Sequence, residues 1–291
     1  MESRQVEPRF SSRHGRIWLT YPDLDSPRLV HGLVVFRELV SGTAHAAWIA
    51  SAGAYFRQVP WVSGFGLAVP RQVHGTRVLT LRADAGGAAG PDCAGPGPAG
   101  PDCADLVEDA DGVVTDRAGL LVGVSVADCL PLLAVDLADG VVGAAHCGWR
   151  GIAAGMVEEL MSAIDRAAGA GAASARTRYL VGASVGACCY AVGDDLLSRF
   201  APEEVRRFAA PRAGHTFFDL KQVVASRLRA RAVRPGDILI DKTCTACNKS
   251  QLSSYRREGA SCGRMLAVLA LRPAGQAGSA AAPADRGAGA R

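Results

Sequence analysis

Six histidines and nine cysteines are the side chains of this 291-residue protein with the most chemistry to offer. The histidines stand at positions 14, 31, 45, 74, 146 and 215, so an imidazole-based site must draw on a short list. Three of the fifteen residues sit where the chain pattern changes. His74 lies in Gln72-Val73-His74-Gly75, just ahead of the strand-like Val78-Leu79. Cys129 lies in Ala127-Asp128-Cys129-Leu130-Pro131, where an acid and a proline interrupt an apolar run. His146 ends a hydrophobic run and precedes the Gly148-Trp149-Arg150-Gly151 turn. Two imidazoles and one thiolate suit zinc, which takes nitrogen and sulfur ligands tetrahedrally, and three protein ligands leave a fourth position for water or substrate. The same residues also fit a metal-free thiol hydrolase with Cys129 as nucleophile and His146 as its base. The long intervals between them do not separate the two.

The remaining motifs read as structural. An odd cysteine count, with no signal-peptide pattern behind Met1-Glu2-Ser3-Arg4, argues against a disulfide framework and for a cytoplasmic protein. Cys244-Thr245-Ala246-Cys247 is a C-x-x-C without a second pair or a following histidine pair, and Cys262 alone does not complete a zinc-ribbon set. Gly182-Ala183-Ser184-Val185-Gly186 satisfies G-x-S-x-G, but glycines follow where a nucleophile elbow demands a helix. Neither a P-loop nor a dinucleotide fingerprint occurs. Arg256-Arg257, ahead of Gly263-Arg264-Met265, gathers guanidinium groups whose planar forks suit a phosphate or carboxylate. Arg150, at the start of the helix expected from Gly151, adds to this set because a helix N-terminus offers free N–H groups to anions.

Such residues need a scaffold, and the pattern supplies one. Val113-Val114, Leu120 to Val126, Leu132 to Val135, Val141 to Ala145, Tyr179 to Val181, Ile238 to Ile240 and Met265 to Leu271 read as strands. Ile152, Met156, Leu160 and Ile164 fall four apart and predict one helical face; Asp219 with Gln222 predicts the capped start of another helix. Helices are too few for a strict βαβ repeat, so the fold class is α/β with mixed strand directions. Composition is consistent: 49% hydrophobic residues supply a core. A net charge of +4, with only Lys221, Lys242 and Lys249 as lysines, leaves no nucleic-acid footprint. The apolar run from Leu120 to Leu137 is broken by Asp128 and Pro131, which argues against a membrane span. Residues 82 to 104 repeat Ala-Gly-Pro-Asp-Cys-Ala and read as a flexible insertion; 273–291 reads as a disordered tail.

Taken together, the ordered motifs resemble the YfiH family. They are Gln72-Val73-His74-Gly75, Asp111-Gly112-Val113-Val114-Thr115, Ala127-Asp128-Cys129-Leu130-Pro131, His146-Cys147-Gly148-Trp149-Arg150-Gly151, the stretch from Val181 to Gly193, Cys244-Thr245-Ala246-Cys247-Asn248 and Ser254-Tyr255-Arg256-Arg257-Glu258-Gly259 followed by Gly263-Arg264-Met265. That family is also called laccase-domain or polyphenol-oxidase-like and is described as purine nucleoside phosphorylases. The match runs from about residue 70 to 271. The resemblance implies zinc, with copper as the other candidate, on His74, Cys129 and His146. It implies one catalytic domain over residues 1–272, built of mixed β-sheets layered with helices and similar to the catalytic domain of cytotoxic necrotizing factors. The implied activity is phosphorolysis of adenosine, inosine, guanosine and methylthioadenosine by phosphate, with adenosine deamination as a side activity, in a monomer or homodimer.

The N-terminal third departs from the family pattern. His31-Gly32 is followed by Phe36-Arg37-Glu38-Leu39-Val40-Ser41, without the two glycines of the family's Arg-x-Gly-Gly-Val-Ser turn, and Arg37 is the arginine available in its place. Arg37, Arg150, Arg256 and Arg257 are the expected phosphate or substrate contacts. Asp128, beside the catalytic Cys129, is the expected proton carrier. A peptidoglycan precursor-editing hydrolase, a copper polyphenol oxidase and an inactive binding paralogue are the competing readings.

Overall fold

Along the long strands, successive apolar side chains turn to opposite faces, and this alternation defines the layers. In the computed structural model, which describes residues 3–40, 42–83, 108–169 and 173–276, Leu33 and Val35 of strand Leu29–Phe36 face one cluster while Val34 and Phe36 face another. Strand Arg264–Leu271 repeats the rule, with Ala267 and Leu269 on the first face and Leu266 and Val268 on the second. The first cluster also takes Leu133, Val135, Val142, Ala144 and Leu180 from a different sheet. Two sheets therefore share one central core, and each covers its outer face with helices.

The larger sheet has seven strands in the order Arg4–Val6, Ile238–Asp241, Arg178–Val181, Leu130–Asp136, Val141–Cys147, Gly112–Thr115 and Val78–Leu81. The pairs at its two edges and the Ile238–Asp241/Arg178–Val181 pair are parallel, and the central pairs are antiparallel. Helices Met156–Ala168 and Leu220–Ala230 cover its outer face. The second sheet has six strands, Arg9–Arg13, Arg16–Thr20, Leu29–Phe36, Arg264–Leu271, Leu120–Val126 and Gly66–Ala68, covered by helix His45–Gln58. A short three-stranded sheet of Ala191–Val192, His215–Phe218 and Ala209–Arg212 stands apart. The mixed α/β class read from the pattern is thus present, with mixed strand directions.

Local signals behave as physical chemistry requires, with one break. Asp219 accepts a hydrogen bond from the Gln222 backbone N–H at 3.1 Å and caps its helix. The helix expected from Gly151 is two helices, Trp149–Ala154 and Met156–Ala168, because Gly155 adopts φ 102° between them. Ile152, Met156, Leu160 and Ile164 still share one buried cluster across the break. Most of the insertion expected at 82–104, including Cys93 and Cys103, and most of the tail expected at 273–291 lie outside the described residues. Among the described residues, no helix is long and apolar enough to cross a membrane.

Leu160 is fully buried between its helix and the seven-stranded sheet. Leu160→Ala should lower unfolding free energy by about 3 kcal/mol, read as a lower urea midpoint at unchanged slope.

Candidate metal centre

Three strand ends and one loop meet at a single edge of the seven-stranded sheet. Strand Val141–Cys147 ends there, while the antiparallel Leu130–Asp136 and Gly112–Thr115 begin there; the registers Cys147 to Leu130 and Ala145 to Gly112 put Cys129, Asp111 and His146 side by side. Val78–Leu81 runs parallel to Gly112–Thr115, so the loop leading into it delivers His74 to the same edge. The ligand atoms of His74, Cys129 and His146 all lie within 4.8 Å of one another. The two imidazoles meet edge to face, with centroids 4.8 Å apart and planes at 83°. His74 is exposed, Cys129 half-buried and His146 buried, so the set descends from rim to floor.

Asp111, fully buried, organises this set, although nothing in its sequence motif assigns it that role. Its Oδ1 lies 2.8 Å from His146 Nδ1, and its carboxylate accepts from the backbone N–H groups of Val73 (3.1 Å), His74 (2.9 Å) and Gly75 (2.6 Å). Its own carbonyl accepts the His146 N–H at 2.7 Å. One carboxylate thereby fixes the ring of one histidine and the backbone of the other. That second backbone needs fixing, because His74 holds φ 62° in the left-handed region, which costs a non-glycine residue about 1–3 kcal/mol. Gly148 closes the floor: a Cβ there would stand 3.1 Å from His74 Cδ2 and 3.5 Å from Cys129 Sγ.

The charges match the chemistry of a metal ligand set. Burial works against a Cys129 thiolate, but the His146 charge and hydrogen bonds from His146 and His74 overcome it and pull the thiol down to about 6. Burial likewise opposes a charged His146, and the Cys129 thiolate together with the Asp111 hydrogen bond lifts it to about 9. Asp111 is desolvated, yet its bonds to His146 and the Gly75 N–H keep it below the usual carboxylate range. Cys147 next door is buried, which pushes its thiol up and leaves it inert. A carboxylate on His146 Nδ1 leaves Nε2 for a metal, the carboxylate–histidine arrangement common around metal centres, so the residues present fit a divalent ion.

The set opens into a cavity of about 510 Å³, whose wall includes Asp128, Tyr190, Tyr255 and Arg256. Of the four arginines singled out in the sequence, Arg256 lines it. The other three do not: Arg37 donates to Ser250 O, Arg150 stacks its guanidinium 4.4 Å from the Trp149 ring centre, and Arg257 bonds the carbonyls of Thr245, Ala246 and Leu252. Arg71 and Arg264 line the cavity as well, with Trp48 from the helix at 45–58. Asp128, at φ 84°, accepts from Thr245 Oγ1 (2.5 Å), Ser254 Oγ (3.0 Å) and the Arg256 N–H (2.5 Å). Ser184 of the G-x-S-x-G is buried, and the segment after it turns back at Gly186 instead of opening a helix.

Comparison with known proteins agrees with this architecture. A family model described as multi-copper polyphenol oxidoreductase laccase matches residues 56–272. The chain is 31% identical over 206 residues to the purine nucleoside phosphorylase YlmD of Geobacillus stearothermophilus, covering 69% of this chain and 70% of that protein. It is 29% identical over 208 residues to the adenosine deaminase RL5 of an unknown prokaryotic organism, covering 68% and 72%. The crystal structure of the Geobacillus YlmD superposes with a TM-score of 0.70 at 24% identity, over 91% of this chain and 99% of that one, and shares the fold.

With Cys129 down at about 6 and His146 up at about 9, the metal-free site holds a thiolate and an imidazolium between those values. Binding a divalent ion must then expel the His146 proton. Zinc affinity should rise roughly tenfold per pH unit from pH 6 to 9 and level off above, with roughly one proton released, measured by titration calorimetry in buffers of different ionisation enthalpy. Asp111→Asn should weaken zinc binding by about 10–100-fold in the same titration.

Proposed function

Given that the chain belongs to the YfiH family of multi-copper polyphenol oxidoreductase laccase-type proteins, we propose that it is a zinc-dependent purine nucleoside phosphorylase. The observation that carries this reading is the His74, Cys129, His146 set, with His146 held by Asp111, lining a cavity whose walls also carry Arg71, Arg256 and Arg264. A cavity of about 510 Å³ falls in the range that encloses a small organic substrate. The substrates proposed are adenosine, inosine, guanosine and methylthioadenosine, with adenosine deamination as a side activity.

A zinc ion on these ligands supplies a Lewis acid that polarises an oxygen or acidifies bound water. The protein's own groups do the rest. Arg256 and Arg264 hold phosphate through planar, charge-assisted hydrogen bonds and aim it at the anomeric carbon. Tyr190, whose phenol burial pushes up to about 12, remains a donor, and Arg256 sits 5.3 Å from its ring centre. Trp48 and Tyr255 offer aromatic surface to a purine. Asp128, with both oxygens engaged, holds the Thr245 and Arg256 segments against the cavity. The phosphate oxygen replaces the base nitrogen at the anomeric carbon and the departing base takes up a proton, giving the free base and ribose 1-phosphate, or the 5-methylthio sugar phosphate from methylthioadenosine.

A multi-copper oxidase needs histidine clusters. Among the described residues the candidate metal groups are a two-histidine, one-cysteine set and an all-cysteine set, which favours the phosphorylase reading.

Adenosine incubated with phosphate and zinc-loaded protein should give adenine and ribose 1-phosphate by chromatography, equally under nitrogen. Inosine and ammonia without need of phosphate would make deamination the main reaction; oxygen-dependent turnover of phenols alone would overturn the proposal. Cys129→Ala should lose turnover together with the zinc held at His74 and His146. Arg256→Met should raise KM for phosphate about tenfold, the value of one charged hydrogen bond, with KM for adenosine unchanged.

A further inference from the structure

Four cysteines converge beside two stretches, at Val185 and Thr245, that are hydrogen-bonded to Asp128. Cys188 and Cys189 sit on a turn in which the N–H groups of Cys189 and Tyr190 return to Gly186 O. Cys244 and Cys247 sit on a second turn, closed by the Asn248 N–H on Cys244 O at 3.1 Å. The Ser184 to Cys244 bridge and the Thr245 N–H on Ser184 O, at 3.0 Å, bring the two turns together. All four sulfurs lie within 4.8 Å of one another; Cys247 Sγ is 3.5 Å from Cys188 Sγ and 3.4 Å from Cys189 Sγ. The C-x-x-C, incomplete as a local motif, is completed by an adjacent pair 55 positions upstream of its first member (244 − 189 = 55).

We propose that Cys188, Cys189, Cys244 and Cys247 form a second metal site, a mononuclear tetrathiolate centre for a thiophilic divalent cation, zinc being the ion these ligands fit.

Bond geometry fits a single ion of this kind. Zinc–sulfur bonds of about 2.3 Å in a tetrahedron set the sulfurs about 3.8 Å apart, inside the range observed here. An iron–sulfur cluster spreads its thiolates around a multi-iron core and needs wider separations than four sulfurs mutually within 4.8 Å. No pair is disulfide-bonded: all four are free thiols, and the closest contact is well beyond a sulfur–sulfur bond. The surroundings also suit a thiolate cluster. The Gly186 N–H donates to Cys244 Sγ at 3.2 Å. The buried Lys221 ammonium, held by Asp241 O (2.6 Å) and Thr243 O (2.8 Å), stands beside the Cys244 turn and offsets its negative charge. A Cβ on Gly186 would stand 3.3 Å from Cys188 Sγ and 3.6 Å from Cys244 Sγ, so the glycine gives the sulfurs room to converge.

The consequence reaches the cavity. Tyr190, the residue after Cys189, lines it, and Thr245, the residue after Cys244, donates to Asp128 beside Cys129. A metal at the four sulfurs pins these two turns to one another and so holds one wall of the cavity in place. Four protein ligands fill the tetrahedron and leave no position for substrate, the pattern of a structural site.

Native mass spectrometry of the full chain, purified under reducing conditions and loaded with zinc alone, tests this. Wild-type protein should carry two ions, Cys129→Ala one and Cys247→Ser one. The Cys129→Ala, Cys247→Ser double variant should carry none. With cobalt in place of zinc, Cys129→Ala should keep an intense sulfur-to-cobalt charge-transfer band that Cys247→Ser loses. Cys247 is exposed, so its serine variant should fold; if it does not, the wild-type and Cys129→Ala counts still decide. One ion on wild type and none on Cys129→Ala would overturn the proposal, as would a mass 2 Da low from a disulfide among the four, or acid-labile sulfide. One ion on both proteins would leave this site standing and remove the other, and absence of phosphorolysis with two ions bound would leave it untouched.

Discussion

A single buried carboxylate holds the centre together. Asp111 is surrounded by donors: the His146 ring and the backbone N–H groups of residues 73 to 75. A buried carboxylate so placed costs desolvation, and only a full set of donors offsets it. Two of those donors, the His146 ring and the His74 N–H, belong to ligands, and the other two flank His74. Satisfying Asp111 therefore orients one imidazole and fixes the strained backbone of the other, while strand register brings the thiolate beside them. Electrostatic satisfaction and metal-site geometry are the same set of contacts.

The sheets explain why this can be built on rigid parts. Antiparallel strands that end and begin at one edge bring Cys129 and His146 to within two register positions of each other, although they stand at opposite ends of a hairpin. His74 comes from a loop, yet its neighbours are bound to that edge through Asp111. The cavity above is less uniform in origin. Its walls come from the start of helix His45–Gln58, from the turn at Tyr190 and from the segment at 255–264, and Asp128 ties the last of these to the strand that follows Cys129.

Period and capping are the legible signals. Alternation in Leu120–Val126 and Arg264–Leu271, and the fourfold spacing from Ile152 to Ile164, read as strands and helix because each element buries a definite face. Helix His45–Gln58 carries no comparable signal. It is rich in alanine and aromatics on several sides, and its start has no side-chain cap. Gly155 does not announce its break, because a glycine inside a helical period is tolerated as often as it ends the helix. The arginines are legible as residue types only. Whether a guanidinium points to a cavity or to nearby carbonyls, as Arg257 does, depends on which carbonyls the fold leaves open beside it.

By itself, the order of residues along the chain determined the short list of ligands, since few histidines were available and three residues stood at breaks in apolar runs. It also determined the α/β class with mixed strand directions, because periodicity is a local property. Only the tertiary structure decided that Asp111 is the partner of His146, that Arg37, Arg150 and Arg257 do not line the cavity, and that Cys188 and Cys189 lie with Cys244 and Cys247. Each of these is a meeting of groups far apart in sequence, set by strand register and turn placement. No local pattern of residue types encodes that kind of distance.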